Sequence, residues 1–252
     1  MSWRPGGLHL GVYRSPVRTL DDFILLFDHI RGLDNIEIAG IMGYEAQIAG
    51  MGECNPYSRI LNPIKKFIKY RSIKDVRKKR SDVNTYLKDK GYHIDFFNGG
   101  GSGSLISTAK EPWITEVTVG SGFLQSHLFD YYRGNTSLPA FCFALQITRK
   151  PQAGIVTCKS GGFIASGETS LDKSPRPFLP EGMKIIGNEG FGEVQTPVKY
   201  AGSEELHFGD PLFFRPAKAG EIAEHFKEYI LIRNNKIVDR VPTYRGLSLC
   251  FY

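Results

Sequence analysis

The stretch that decides the fold is Asn98-Gly99-Gly100-Gly101-Ser102-Gly103-Ser104, "NGGGSGS", which directly follows the apolar run "HIDFF" at residues 93–97. Such a run is either a flexible connector or a backbone nest that holds an anion, because glycine lets several N–H groups converge on one point. The surroundings favour the nest. A second apolar run, "ITEVTV" (114–119), ends in its own glycine turn, Gly120-Ser121-Gly122. In βα architectures ligands gather at the C-terminal ends of the strands, and barrels of this class bind phosphate at the loops after their last two strands. Two adjacent glycine loops, with Ser102, Ser104 and Ser121 as extra donors, make a better cradle than one.

Upstream the same alternation holds. "LHLGVY" (8–13) reads as a strand and "TLDDFILLFDHIRG" (19–32) as a helix with Thr19 as its N-cap and Gly32 past its end. "IEIAGIM" (36–42) is a further strand, followed by a loop and a long basic helix over 64–90, "IKKFIKYRSIKDVRKKRSDVNTYLKDK". Ile60, Ile64, Phe67, Ile68, Val76, Val83 and Leu87 recur at helical spacing and predict a buried stripe opposite solvated lysines. "LQSHLFDYY" (124–132) is a candidate start of one more helix. From Pro139 onward strands are separated by Gly and Pro turns. "AFCFALQITRK" (140–150) places Phe141, Phe143, Leu145 and Ile147 on one face, and "EYILIRNNKIVDRVP" (228–242) is a hairpin turning at Asn234-Asn235. The pattern predicts two regions, a βα region over 1–139 and an all-β domain over 140–252. The first contains four βα units, half of a (β/α)8 barrel, and a half-barrel leaves sheet edges and an interior unfilled.

Composition narrows the function. The 252 residues are 41% hydrophobic and 23% charged, as in an ordinary soluble globular protein, and no run is long and apolar enough to cross a bilayer. With no apolar signal-peptide core in "MSWRPGG", a cytoplasmic setting is expected. The four cysteines (Cys54, Cys142, Cys158, Cys250) lack C-x-x-C spacing, which argues against disulfide frameworks and zinc ribbons. The net charge of +6 sits largely on the basic helix without any nucleic-acid motif, so no nucleic-acid partner is expected. No Ser-His-Asp elbow, P-loop lysine or metal cluster is present. Tyr44, Glu45 and Gln47 follow the strand at 36–42, where a substrate-binding loop would lie. His93 reads as structural and His127 as a weak site candidate, and Cys54 is no more than a loop cysteine.

Taken together, "GGLHLGVYRSP", "GIMGYEAQIAG", "NGGGSGSL", "EVTVGSGF", "GGFIASG", "EGFGEVQTP" and "KAGEIAEHF…VPTYRG" resemble the amino-acid deaminase/aldolase family related to D-threonine aldolase and D-serine dehydratase. That group has the alanine-racemase-like fold type III of pyridoxal 5'-phosphate enzymes. The resemblance implies an α/β fold, the C-terminal half (strands 5–8) of a (β/α)8 alanine-racemase-like barrel followed by an all-β domain. It implies pyridoxal 5'-phosphate as cofactor, with its phosphate at Gly101, Ser102, Gly103, Gly120, Ser121 and Gly122, and a small amino acid as substrate. A homo-oligomer, or an N-terminal half supplied elsewhere, is the implied partner. Two departures stand out. The family's cofactor-bearing lysine follows the first barrel strand, which has no counterpart here, and Lys65 and Lys66 do not match its pattern. The family's metal-binding pair is replaced by "FFRPAKAGE" (213–221), with Lys218 and Glu221 nearby, so no metal is expected. The implied activity is a deaminase or aldolase lyase. The alternative is a non-catalytic remnant or subunit that keeps a phosphate cradle and needs a partner chain.

Overall fold

A computed structural model describes residues 5–7, 9–135, 137–168 and 170–249. Cys250 lies outside the described residues. The chain is mixed α/β and forms two compact units. The first runs to Phe123 and takes in Phe129–Asn135, and the second comprises Leu124–Leu128 and the chain from Ser137 on.

The first unit opens with helix α1, Leu20–Arg31. Thr19 Oγ accepts from the Asp22 amide while the Asp22 carboxylate accepts from the Thr19 amide, a complete capping box. The Arg18 and Thr19 amides donating to Asp22 hold its carboxyl below the ordinary value of 3.8. Because the folded pKa is depressed, this contribution is present above the unfolded value and lost as pH falls through the folded one. Thr19→Ala is expected to lower stability by about 1 kcal/mol at neutral pH. In thermal melts the gap between the two proteins should narrow under acid; a gap constant with pH counts against the box.

Strands β1 (Gly40–Gly43), β2 (Phe96–Gly99) and β3 (Glu116–Val117) form a parallel sheet in the order β1-β2-β3. The 36–42 strand starts only at Gly40, and the 93–97 strand begins late and runs to Gly99. Of the strand expected at 8–13, Leu8 lies outside the described residues and 9–13 form no strand; Leu10 makes an isolated bridge. Gly11 sits at φ +128°, outside the range of an L-residue strand, and breaks the extension. The sheet therefore has three strands where the sequence predicts four.

Helix α2 (Asn62–Asp89) covers this sheet together with α1, burying Phe27, Val83, Leu87 and Phe97 in one cluster. Its buried positions are Ser72, Val76, Arg80, Val83 and Leu87, a stripe with a 4-4-3-4 step. The predicted stripe is right for its C-terminal half and wrong at its start. Ile60, before the helix, is 91% exposed, and Ile64 and Phe67 are exposed in its first two turns. Length is the reason: 28 residues extend roughly 42 Å, while a four-residue strand reaches about 13 Å.

One face of the sheet carries the helices, and the other is covered in part, with Asn98 buried at 4% exposure. Phe97 is buried on the helical side, but its neighbour Phe96 and Met42 of β1 are exposed on the other, Met42 by 70%. A parallel sheet normally has both faces packed.

The second unit holds a six-stranded antiparallel sheet in the order β6-β9-β4-β5-β8-β7, from β4 (Phe143–Gln152), β5 (Ile155–Lys159), β6 (Arg176–Leu179), β7 (Met183–Ile185), β8 (Gln195–Tyr200) and β9 (Pro211–Arg215). The predicted alternation holds: Phe143, Leu145 and Ile147 point into a core with Val198, Leu212 and Phe214. A short helix, α4 (Gly220–His225), interrupts the β pattern. Strands β10 (Glu228–Arg233) and β11 (Lys236–Pro242) make the expected hairpin, with Asn234 and Asn235 at φ +50° and +58°. Residues His127–Tyr131 form a 3-10 turn rather than an α-helix.

Candidate functional site

The candidate site lies in the first unit, at the C-terminal end of the parallel sheet. After β2 the chain turns at Gly100, whose φ of +88° is open to glycine and strained for other residues. Ser104 Oγ accepts from the Gly101 amide at 3.1 Å, and the Ser104 amide donates to Gly101 O, closing a tight loop before α3 (Leu105–Thr108). The second glycine loop follows β3, anchored by the Thr118 amide on Gly99 O, and curls into a 3-10 turn over Ser121–Phe123.

The two loops are joined directly. Ser102 Oγ accepts from the Gly122 amide at 2.9 Å. Among the described residues, the Ser102, Gly103, Gly120 and Ser121 amides donate to no atom of the chain. Gly120 is exposed, and a Cβ there would meet nothing within 4 Å. Uncommitted amides on two bridged loops are donors of the kind an oxyanion such as a phosphate accepts from. The residue types fit the phosphate of pyridoxal phosphate: neutral donors, small side chains and backbone open to close approach.

Two tyrosines wall the cradle. A Cβ on Gly101 would approach the Tyr44 ring to 3.2 Å, and one on Gly103 would come within 2.4 Å of the Tyr132 ring. Burial pushes the Tyr132 hydroxyl up to about 12, and burial also raises Tyr44. Both phenols therefore stay protonated at neutral pH, and neither sets a negative charge beside the loops. Lys69 stacks its ammonium 4.6 Å over the Tyr132 ring while bonding both Glu53 oxygens at 2.9 Å. Tyr132 escaped the sequence reading, because nothing in "LFDYYRG" announces which ring will pack on a loop thirty residues earlier.

Of the three substrate-loop candidates, the structure leaves only Tyr44 partly exposed. Its side chain also lines a cavity of about 360 Å³ shared with Arg14, Phe23 and Ile41. Glu45 and Gln47 are each 2% exposed. Gln47 Nε2 bonds Ser72 O at 3.2 Å and Asp75 Oδ2 at 3.1 Å, which fixes α2 to the loop. Glu45 accepts from the Gly100 amide at 2.8 Å and from Arg80 Nη1 at 2.6 Å.

His93 is exposed beside Asp95. His127 is buried in the second unit with Nε2 2.8 Å from Ser174 O. Cys54 is exposed, and burial pushes the Cys158 thiol up to about 12. Lys65 reaches Ser58 Oγ at 2.5 Å. In the second unit Lys218 Nζ donates to Ser166 O at 2.6 Å and Glu221 accepts from the Ser166 amide, so this pair holds a loop. Among the described residues no three His, Cys, Asp or Glu side chains converge as metal ligands, and no helix is long and apolar enough to cross a membrane.

No family model and no curated protein sequence matches the chain. Solved structures do. D-threonine aldolase from Filomicrobium marinum superposes with a TM-score of 0.74 at 15% identity, covering 94% of this chain and 62% of that one. D-threo-3-hydroxyaspartate dehydratase from Delftia sp. HT23 gives 0.65 at 14%, covering 92% and 62%. Alanine racemase from Bacillus anthracis gives 0.52 at 16%, covering 94% and 66%. The chain thus spans about three fifths of the length of the first two. Over that span the resemblance read from the sequence motifs is borne out as a shared fold, that of these aldolase, dehydratase and racemase structures.

Proposed function

We propose that this chain is the phosphate-binding half of a pyridoxal 5'-phosphate-dependent amino-acid lyase, a D-threonine aldolase or D-serine dehydratase-like deaminase or aldolase. The observation that carries the reading is the pair of bridged loops with four uncommitted amides at Ser102, Gly103, Gly120 and Ser121. When bound, pyridoxal phosphate supplies an electron sink for the carbanion at the substrate α-carbon.

The chain's own residues do the positioning. The amides of both loops would hold the phosphate as neutral donors, and Ser102 keeps the loops in register through Gly122. Tyr44 and Tyr132 close the sides and exclude water from the anion. Tyr44, half-exposed, is the residue of the 44–47 loop able to reach a small amino-acid substrate. Met42 and Phe96, exposed on the face away from the helices, favour a second barrel half bearing the cofactor-holding lysine, upstream in the same polypeptide or on a partner chain.

Purified chain is expected to bind pyridoxal phosphate reversibly, with inorganic phosphate as competitor and without the visible band of lysine-bound cofactor. Adding the first half of a related barrel should restore that band and lyase activity on β-hydroxy D-amino acids. Absence of any phosphate-competed binding would sink the proposal.

A further inference from the structure

Behind the cradle lies a buried charge cluster that the sequence disguises. Arg80 and Glu45 are each 2% exposed and Glu111 4%. Arg80 grips Glu111 with Nε at 2.9 Å and with Nη2, and grips Glu45 and Gly43 O with Nη1 at 2.6 and 2.9 Å. Trp113 Nε1 donates to Glu111 at 3.0 Å, and Thr108 Oγ1 donates to Glu45. Each carboxylate accepts three hydrogen bonds, so the cluster is fully satisfied. The remaining oxygen of Glu45 takes the Gly100 amide at 2.8 Å. One guanidinium thus ties the end of β1, the start of the glycine loop and, through Thr108 and Glu111, the segment that leaves it.

We infer that Glu45, held by Arg80 and Thr108, is a positioning residue for the anion cradle: it captures the Gly100 amide and so sets the direction in which the Ser102 and Gly103 amides point. The inference rests on the phosphate reading above. Two carboxylates share one guanidinium, so a carboxylate bonded to the cradle loop repels an incoming anion. Such a charge belongs there only if the geometry it imposes outweighs the repulsion. Preorganised donors bind without reorganisation, and a loop this rich in glycine has much freedom to lose.

The sign of one substitution separates the two effects. Glu45→Gln removes the negative charge and keeps the shape. If charge dominated, inorganic phosphate would bind more tightly. Under the positioning role, titration calorimetry should show phosphate and pyridoxal phosphate both about tenfold weaker, the equivalent of one charge-assisted hydrogen bond. Amide exchange at Gly100–Ser104 should accelerate while the melting transition stays cooperative. A folded variant with equal or tighter binding overturns the inference. Should Glu45→Gln fail to fold, Thr108→Val removes a single donor from Glu45 and is expected to weaken phosphate about threefold; unchanged affinity overturns it equally. A wild-type chain that binds neither probe overturns the cradle itself, which is a distinct result.

Discussion

Replacing Arg80 with methionine is expected to destabilise the first unit strongly. The substitution leaves Glu45 and Glu111 buried at 2% and 4% exposure with their shared cation gone. Removing one partner of a buried ion cluster costs about 3–5 kcal/mol, against total domain stabilities of about 5–15 kcal/mol. The loss also cuts the Arg80 bond to Gly43 O, so the end of β1 is released at the same step. Arg80→Lys should rescue little, because a point ammonium cannot span two carboxylates through a planar fork. Peptide-resolved hydrogen exchange distinguishes the units. Amides of α2 and β2 should lose protection, whereas β4, packed on Leu212 and Phe214 in the second unit, should keep it. Full protection of α2 in the methionine variant would show the cluster to be dispensable.

Gly103→Val is expected to abolish phosphate and cofactor binding. A Cβ at this position lies 2.4 Å from one Tyr132 ring carbon and within 2.9 Å of two others. The ring is buried, so it cannot swing into solvent, and the loop must move instead. A displacement of about an ångström in a preorganised site costs on the order of a hundredfold. The corresponding change at Gly101 should be milder, since its Cβ would approach the half-exposed Tyr44 ring at 3.2 Å. Gly187→Ala, at an exposed position of the second unit with no atom of the chain within 4 Å of the new methyl, serves as the folding control. Phosphate titrations with the three variants give the test. Equal affinity for Gly103→Val and wild type would remove the glycine loop from the binding site.

Arg80 also shows where sequence reading loses its grip. It stands in "KDVRKKRSD", where every neighbouring cation points to a solvated helix face. Periodicity places it on the inner stripe with Val76 and Val83, yet no local feature names its partners, which lie 35 and 31 residues away. Glu45 was visible as a loop residue at the right end of the sheet, but its inward orientation was not. Tyr132 is the same case: an aromatic residue whose role depends on which loop folds against it.

What the sequence by itself determined was local. The N-cap at Thr19, the period-two alternation from Phe143 to Ile147, the Asn234-Asn235 turn and the two glycine loops all follow from backbone preferences and side-chain spacing over a few residues. Residues 8–13 mark the limit, where an apolar strand pattern gives way to a glycine at φ +128°. Only the tertiary structure decided that the glycine loops meet through Ser102 and Gly122, and that a charge cluster rather than an apolar core sits behind them. Those contacts join segments 20 to 63 residues apart. A hydrogen bond's worth depends on burial and on whether every donor finds an acceptor, and both are properties of the folded chain.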